Sequence, residues 1–60
     1  MKMAIHDEIV QLFEIYTVES EKFETKGVKA AAARARKSLS EIAKLAKTRR
    51  AEIQEIKNSM

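Results

Sequence analysis

The sequence predicts an all-α protein, an antiparallel two-helix hairpin that dimerises into a four-helix bundle. First, the chain of 60 residues has no Pro and one Gly and is rich in Ala, Glu, Lys, Arg, Ile and Leu, which is typical of long helices. Second, apolar residues recur at helical spacing on both sides of the glycine. Third, a chain this short buries little apolar surface and has no Cys for a disulfide, so we expect a second copy to complete the core.

The single glycine, Gly27, is expected to divide the chain into two helices. Only glycine enters the left-handed conformation without a steric penalty, so Gly27 fits the C′ position that ends a helix. Phe23 and Val28 would then form the apolar contact of a Schellman cap. One continuous helix is the alternative, but the apolar patterns of both halves converge on this turn. The predicted organisation is one domain over residues 1–60, a first helix at about 3–26, a turn at 27 and a second helix at about 28–58.

After the turn, apolar residues alternate in steps of four and three, which is a heptad seam with one charged member, Arg49. This seam consists of Val28, Ala32, Ala35, Leu39, Ile42, Ala46, Arg49, Ile53, Ile56 and Met60. In an antiparallel hairpin, residues whose numbers sum to about 54 lie opposite one another, as Leu12 and Ile42 do. Ile56 and Met60 extend beyond the first helix, so a second hairpin is expected to cover them. The residues expected in the core and the dimer interface are Ile9, Leu12, Phe13, Tyr16, Phe23, Leu39, Ile42, Ile53 and Ile56.

Positive charge is concentrated on the second helix. Residues 1–27 hold three Lys and six acidic residues, whereas residues 28–60 hold nine basic residues and three acidic ones. At about 100° per residue, six of the basic residues fall in one sector centred about 120° from the seam. We call these six residues the basic stripe: Lys29, Arg36, Lys37, Lys44, Lys47 and Arg50. A one-sided stripe of Lys and Arg is the pattern expected of a protein that binds the phosphate backbone.

The composition of the stripe indicates how nucleic acid would be bound. It contains no aromatic residue to stack on single-stranded bases and no set of Asn and Gln to read base edges. We therefore expect sequence-independent binding to double-stranded DNA, with RNA as a further candidate. Charge alone is equally compatible with a solvated surface that complements the acidic first helix. A coiled-coil hairpin that serves as a protein-interaction module, without nucleic-acid function, also stays open.

The segment after the turn carries a glycine with a Lys-Ala-Ala-Ala run and an Arg-x-Arg pair (27–36), then Glu-Ile-Ala-Lys (41–44) and an Arg pair (49–50). This pattern resembles the bacterial linker-histone-like family known from chlamydiae, over residues 27–58. The likeness is to a short member without the Lys/Ala-rich C-terminal tail of chlamydial relatives. It implies a histone-like, nucleoid-associated protein of the bacterial cytoplasm that coats or compacts the chromosome. The phosphate contacts that it implies are Lys29, Arg34, Arg36, Lys44, Arg49 and Arg50.

The sequence argues against catalysis, metal binding and membrane insertion. With one His, His6, no Cys and no Gly-rich phosphate loop, we expect no enzyme activity, metal, cofactor or small-molecule substrate. There is no run of about 18 apolar residues. Asp7, Glu8 and Glu14 interrupt the apolar N-terminal stretch, so we do not interpret it as a signal peptide and expect a cytosolic protein. The second helix also suits a membrane surface, but its Ala-rich apolar side would insert weakly.

Arg49 is expected to differ from the other basic residues because it occupies a seam position. A buried, unpaired guanidinium is unfavourable, so its methylene groups should lie over the seam. Its charged head should then reach Asp7, Glu8, solvent or an acidic residue of the second copy. The acidic residues of the first helix are expected on its solvent side.

Overall fold

The computed structural model describes residues 4–60, which form two helices, α1 (Ala4–Lys26) and α2 (Lys29–Asn58). The helices are antiparallel and form a hairpin that measures 47 × 17 × 13 Å. The prediction of an all-α hairpin is therefore confirmed, and dimerisation stays a prediction. Neither helix of this described range has a stretch that is both long and apolar enough to cross a membrane. Residue 3, where the first helix was expected to begin, lies outside the described residues.

The turn is built on Gly27, which has a φ of +66°. Its N–H donates a hydrogen bond to the Phe23 carbonyl oxygen at 3.0 Å, which is the single bond of an αL cap. The expected Schellman cap, in which the Val28 N–H would bond to Phe23, is wrong. Val28 is instead the extended N-cap residue of α2, with φ −76° and ψ 107°, and its carbonyl oxygen accepts a hydrogen bond from Ala31 N–H at 3.1 Å. This conformation leads the chain directly into α2.

Substituting Gly27 with valine should lower the free energy of unfolding by about 1–2 kcal/mol, because a β-branched residue tolerates a positive φ poorly. A Cβ atom at Gly27 would meet nothing within 4 Å, so the loss would come from the backbone alone. Gly27→Asn is the matched control and should lose less, since Asn enters the left-handed region more readily. Thermal melts of the three proteins test this. A valine variant as stable as the native chain would mean that Gly27 is not held in this conformation.

The helices meet along small side chains. Ala31 and Ala35 of α2 are 0% and 7% exposed, and Ser38 is 4% exposed. Small residues let two helices approach closely. On α1, Leu12 and Tyr16 occupy the facing side and are half-buried. The core of one hairpin is therefore thin.

The face of α2 that packs on α1 is rotated from the predicted seam. Positions 35, 42, 49 and 56 are shared, but Ala31 and Ser38 are buried in place of Ala32 and Leu39, and Leu45 and Ala46 are both half-buried. The physical reason at the level of Leu39 is size, because the small Ser38 side chain lets the helices approach closely. Leu39 is consequently turned to the flank. Of the residues expected in the core or the dimer interface, the half-buried ones are Ile9, Leu12, Tyr16, Ile42 and Ile56, and the exposed ones are Phe13, Phe23, Leu39 and Ile53.

Candidate nucleic-acid interface

The outer surface of α2, directed away from α1, carries the basic stripe. All six of its residues are exposed. Each is displaced by more than about 100° around the helix from the centre of the buried seam. The alanines Ala30, Ala33, Ala43 and Ala51 are also exposed on α2 and lie between the cations. The short alanine side chains therefore leave the cations accessible, and the long side chains of the stripe are all positively charged.

The length of the stripe matches the dimensions of a DNA duplex. From Lys29 to Arg50 the helix rises about 32 Å, at 1.5 Å per residue. One turn of B-DNA spans about 34–36 Å, and the duplex carries one negative charge per about 1.7 Å of its axis. The stripe is therefore long enough to span phosphates over roughly one turn of a duplex.

Arg34 belongs to the contact between the helices. Its Nε atom donates a hydrogen bond to Oε1 of Glu19 at 2.6 Å. The Glu19 side chain is 9% exposed, and Lys22 Nζ lies 3.9 Å from its Oε2 atom. The residue numbers of this interhelical pair sum to 53, close to the expected register. One of the phosphate contacts implied by the family resemblance is thus engaged in neutralising a buried carboxylate.

Glu19 was missed by the sequence reasoning, which placed the acidic residues of α1 on the solvent side. That expectation is wrong at this position, because Glu19 is 7% exposed and faces α2. The signal was present in its spacing, since Glu19 continues the series of Leu12 and Tyr16 in steps of four and three. A charged residue at such a position predicts a partner of opposite charge on the facing helix.

Removing Arg34 should destabilise the hairpin more than removing a cation of the stripe. Arg34→Ala leaves the Glu19 carboxylate buried without its closest partner, which should lower the free energy of unfolding by about 1–3 kcal/mol. Half of the Arg34 side chain is exposed, which limits the effect through solvent screening. Arg36→Ala is the matched control and should change stability by less than about 0.5 kcal/mol. Urea unfolding of both variants tests this, and equal midpoints would contradict the structural role of Arg34.

Arg49 lies in the seam, as expected, with its side chain 19% exposed. Its Nη1 atom donates a hydrogen bond to Oε1 of Glu52 at 3.1 Å. The expected partners Asp7 and Glu8 are therefore wrong. Glu52 lies one turn further along the same helix, so Arg49 reaches it without spanning the gap to α1. Of the two arginines at 49 and 50, Arg50 presents its charge to solvent.

The two outer edges of the hairpin have opposite charge. Asp7, Glu14 and Glu21 follow one another every seven residues on the exposed side of α1. The exposed side of α2 carries the stripe instead. In the electric field of a polyanion, a separation of charge of this kind favours the orientation in which the cationic edge faces the negative charges. In residues 4–60, no group of three or more His, Asp and Glu side chains is arranged to hold a metal ion.

The model of one protein family, described as histone H1-like protein Hc1, matches residues 3–59. This match covers both helices and the turn, including every residue of the basic stripe. No curated protein and no solved structure matches the chain.

Proposed function

The chain belongs to the histone H1-like protein Hc1 family, and we propose that it is a DNA-binding, histone-like protein of the bacterial nucleoid. It binds duplex DNA without sequence preference, through the basic stripe on α2, and acts by contact with DNA and without catalysis. The observation that carries this proposal is the exposed row of six cations along α2, of which Lys37 shares a depression with the Glu41 carboxylate. Glu41, the acidic residue nearest in sequence, lies with Leu12 and Ile15 at the groove between the helices.

The absence of sequence preference follows from the kinds of side chain at this edge. Lys and Arg contact phosphates whatever the base sequence, and the alanines between them are too short to reach base edges. Gln54 and Asn58 lie beyond the stripe, and their amides hydrogen-bond to each other at 3.2 Å. Family membership supports DNA binding over the alternative of a protein-interaction module. No feature of the basic stripe favours that alternative.

We also propose that the protein acts as a homodimer in a four-helix bundle. The hairpin exposes 5077 Å², whereas a compact monomer of 6.8 kDa exposes about 4,000 Å². Its radius of gyration is 14.4 Å, against about 10 Å for a compact chain of this length. The surplus of about 1,100 Å² compares with the roughly 800 Å² that each partner buries in a typical stable interface.

A titration of duplex DNA at several salt concentrations tests this function. If each chain of the dimer places three to five cations on phosphates, the slope of log K against log [salt] should be roughly −5 to −9. Two unrelated duplexes of equal length should bind within a few-fold of each other, because the stripe reads no bases. An RNA duplex of equal length, measured alongside, shows whether the B-form is preferred. Binding that survives high salt, or that strongly prefers one DNA sequence, would contradict the proposed mode.

A further inference from the structure

One flank of α2 carries a row of apolar residues that continues to Met60, two residues beyond the end of the helix. Every seventh residue on this flank is apolar, and we call these residues the apolar strip: Ala32, Leu39, Ala46, Ile53 and Met60. Its large members are incompletely covered by α1, with Leu39 47%, Ile53 50% and Met60 97% exposed. Exposed apolar residues in a continuous row, unlike scattered ones, indicate an interaction surface.

The two faces of the hairpin differ in character. Because the helices are antiparallel, corresponding flanks of α1 and α2 come to the same face, and helical geometry places Phe13, which is 60% exposed, on the face of the strip. On the opposite face, Ile15 lines a shallow depression with Arg34, Lys37 and Glu41. The face of the strip thus carries the longer apolar row, whereas on the opposite face the exposed Ile15 and Val18 lie beside charged side chains.

The strip is complementary to itself. Its first four members alternate small and large: Ala32, Leu39, Ala46 and Ile53. If two strips pair antiparallel about a two-fold axis between residues 39 and 46, Leu39 meets Ala46 of the second copy. Ile53 then meets Ala32 of the second copy. Small residues face large ones at each level, which is how helices interdigitate at close distance.

We propose that two copies pack α2 against α2 in this antiparallel register, so that their basic stripes join into one DNA-binding surface. The alternative, α2 against α1 of the second copy, would bring Leu39 to Phe13. It would leave Ile53 uncovered, because α1 begins at Ala4, at the level of about residue 49 of α2 in the register of the Glu19–Arg34 pair. Pairing α2 with α2 covers Ile53.

This arrangement couples dimerisation to DNA binding, and in this respect it rests on the proposed function. Arg36 and Arg50 flank the strip on its outer side, and antiparallel pairing places Arg36 beside Arg50 of the second copy. These like charges repel each other in the free dimer. Phosphates bound between them remove the repulsion, so DNA should favour the dimer and the dimer should favour DNA by the same factor. Salt screens the repulsion, so it should strengthen the free dimer while it weakens DNA binding.

Cysteine crosslinking tests the interface, since the chain has no Cys of its own. Ala43 lies nearest to the proposed axis, so Ala43→Cys should form a covalent dimer under mild oxidation without DNA. Ala33→Cys is the matched control, because it is equally an exposed alanine of α2 but points away from the strip, and it should stay monomeric on a denaturing gel. Failure of Ala43→Cys to crosslink would overturn the arrangement. A crosslink between Phe13→Cys and Leu39→Cys chains in a mixed sample would also overturn it.

Duplex DNA added to the Ala43→Cys protein tests the coupling. We expect the rate of crosslinking to rise about 5-fold or more when DNA is bound. An unchanged rate, with DNA binding verified in the same sample, would contradict a shared surface. If DNA does not bind at all, the proposed function fails, whereas crosslinking without DNA still decides the interface.

Discussion

Replacing Lys47 and Arg50 together with glutamate should remove most of the DNA affinity and leave the fold intact. Both residues are exposed on the outer edge of α2. In a dimer the change removes four cations and places four repelling charges against the phosphates. At about 1 kcal/mol for each of the four lost contacts, affinity should fall by about 1,000-fold. Fluorescence anisotropy with a labelled duplex measures the loss, and a thermal melt close to that of the native chain shows that the fold is kept.

Arg49→Leu is the control for this double variant, since it removes a charge from the same segment. Arg49 lies in the seam and is paired with Glu52, so the loss of its charge should change DNA affinity by less than about threefold. Stability should be unchanged or higher, because leucine continues the apolar seam and no guanidinium has to be desolvated. If Arg49→Leu unfolds the protein while the double reversal leaves DNA affinity intact, the assignment of roles in α2 is wrong.

Placing a charge on the apolar strip should dissociate the dimer. In Leu39→Glu, the interface loses two leucines, each contributing about 1 kcal/mol from the half of its surface that the hairpin leaves exposed, and gains two carboxylates without partners. The dimer should weaken by about 100-fold or more. Ile15→Glu is the matched control, because Ile15 is 48% exposed, against 47% for Leu39, and lies on the opposite face. Equilibrium sedimentation at micromolar concentration should give about twice the chain mass for the native protein and for Ile15→Glu.

A native protein that sediments as a stable monomer would contradict the bundle. Because the core of one hairpin is thin, the stability of the fold should also depend on dimerisation. Because association stabilises the folded state by mass action, the melting temperature of the native chain should rise with concentration. That of Leu39→Glu should be lower and nearly independent of concentration.

The helices and the turn could be predicted from the sequence because their signals are local. Gly27 is the one residue that favours the left-handed conformation strongly, and the apolar spacing on either side of it fits helices only. The rotation of α2 could not be predicted in the same way. Two overlapping heptad series share Ala35 and Ile42, and what decides between them is the size of the side chains that α1 presents. Periodicity favoured Leu39, whereas close packing selected Ser38.

For the basic side chains too, exposure could be predicted from the sequence, whereas the ion-pair partners could not. Exposure of the stripe follows from spacing alone, since its residues lie far from either candidate seam. The role of Arg34 depends on Glu19, and the pair is recognised only once the register of the two helices is known. For Arg49, a seam position was enough to predict a partly buried side chain. Its choice of Glu52 over the acids of α1 depends on side-chain reach, which the spacing of residues does not encode.

The most direct test of the central claim is a map of where DNA contacts the protein. In a titration of the ¹⁵N-labelled chain with a short duplex, followed by amide chemical shifts, the changes should concentrate on the outer edge of α2 between Lys29 and Arg50. The acidic outer edge of α1, at Asp7, Glu14 and Glu21, should be unaffected. Changes centred on α1, or spread evenly over both helices with no maximum along the basic stripe, would contradict the account.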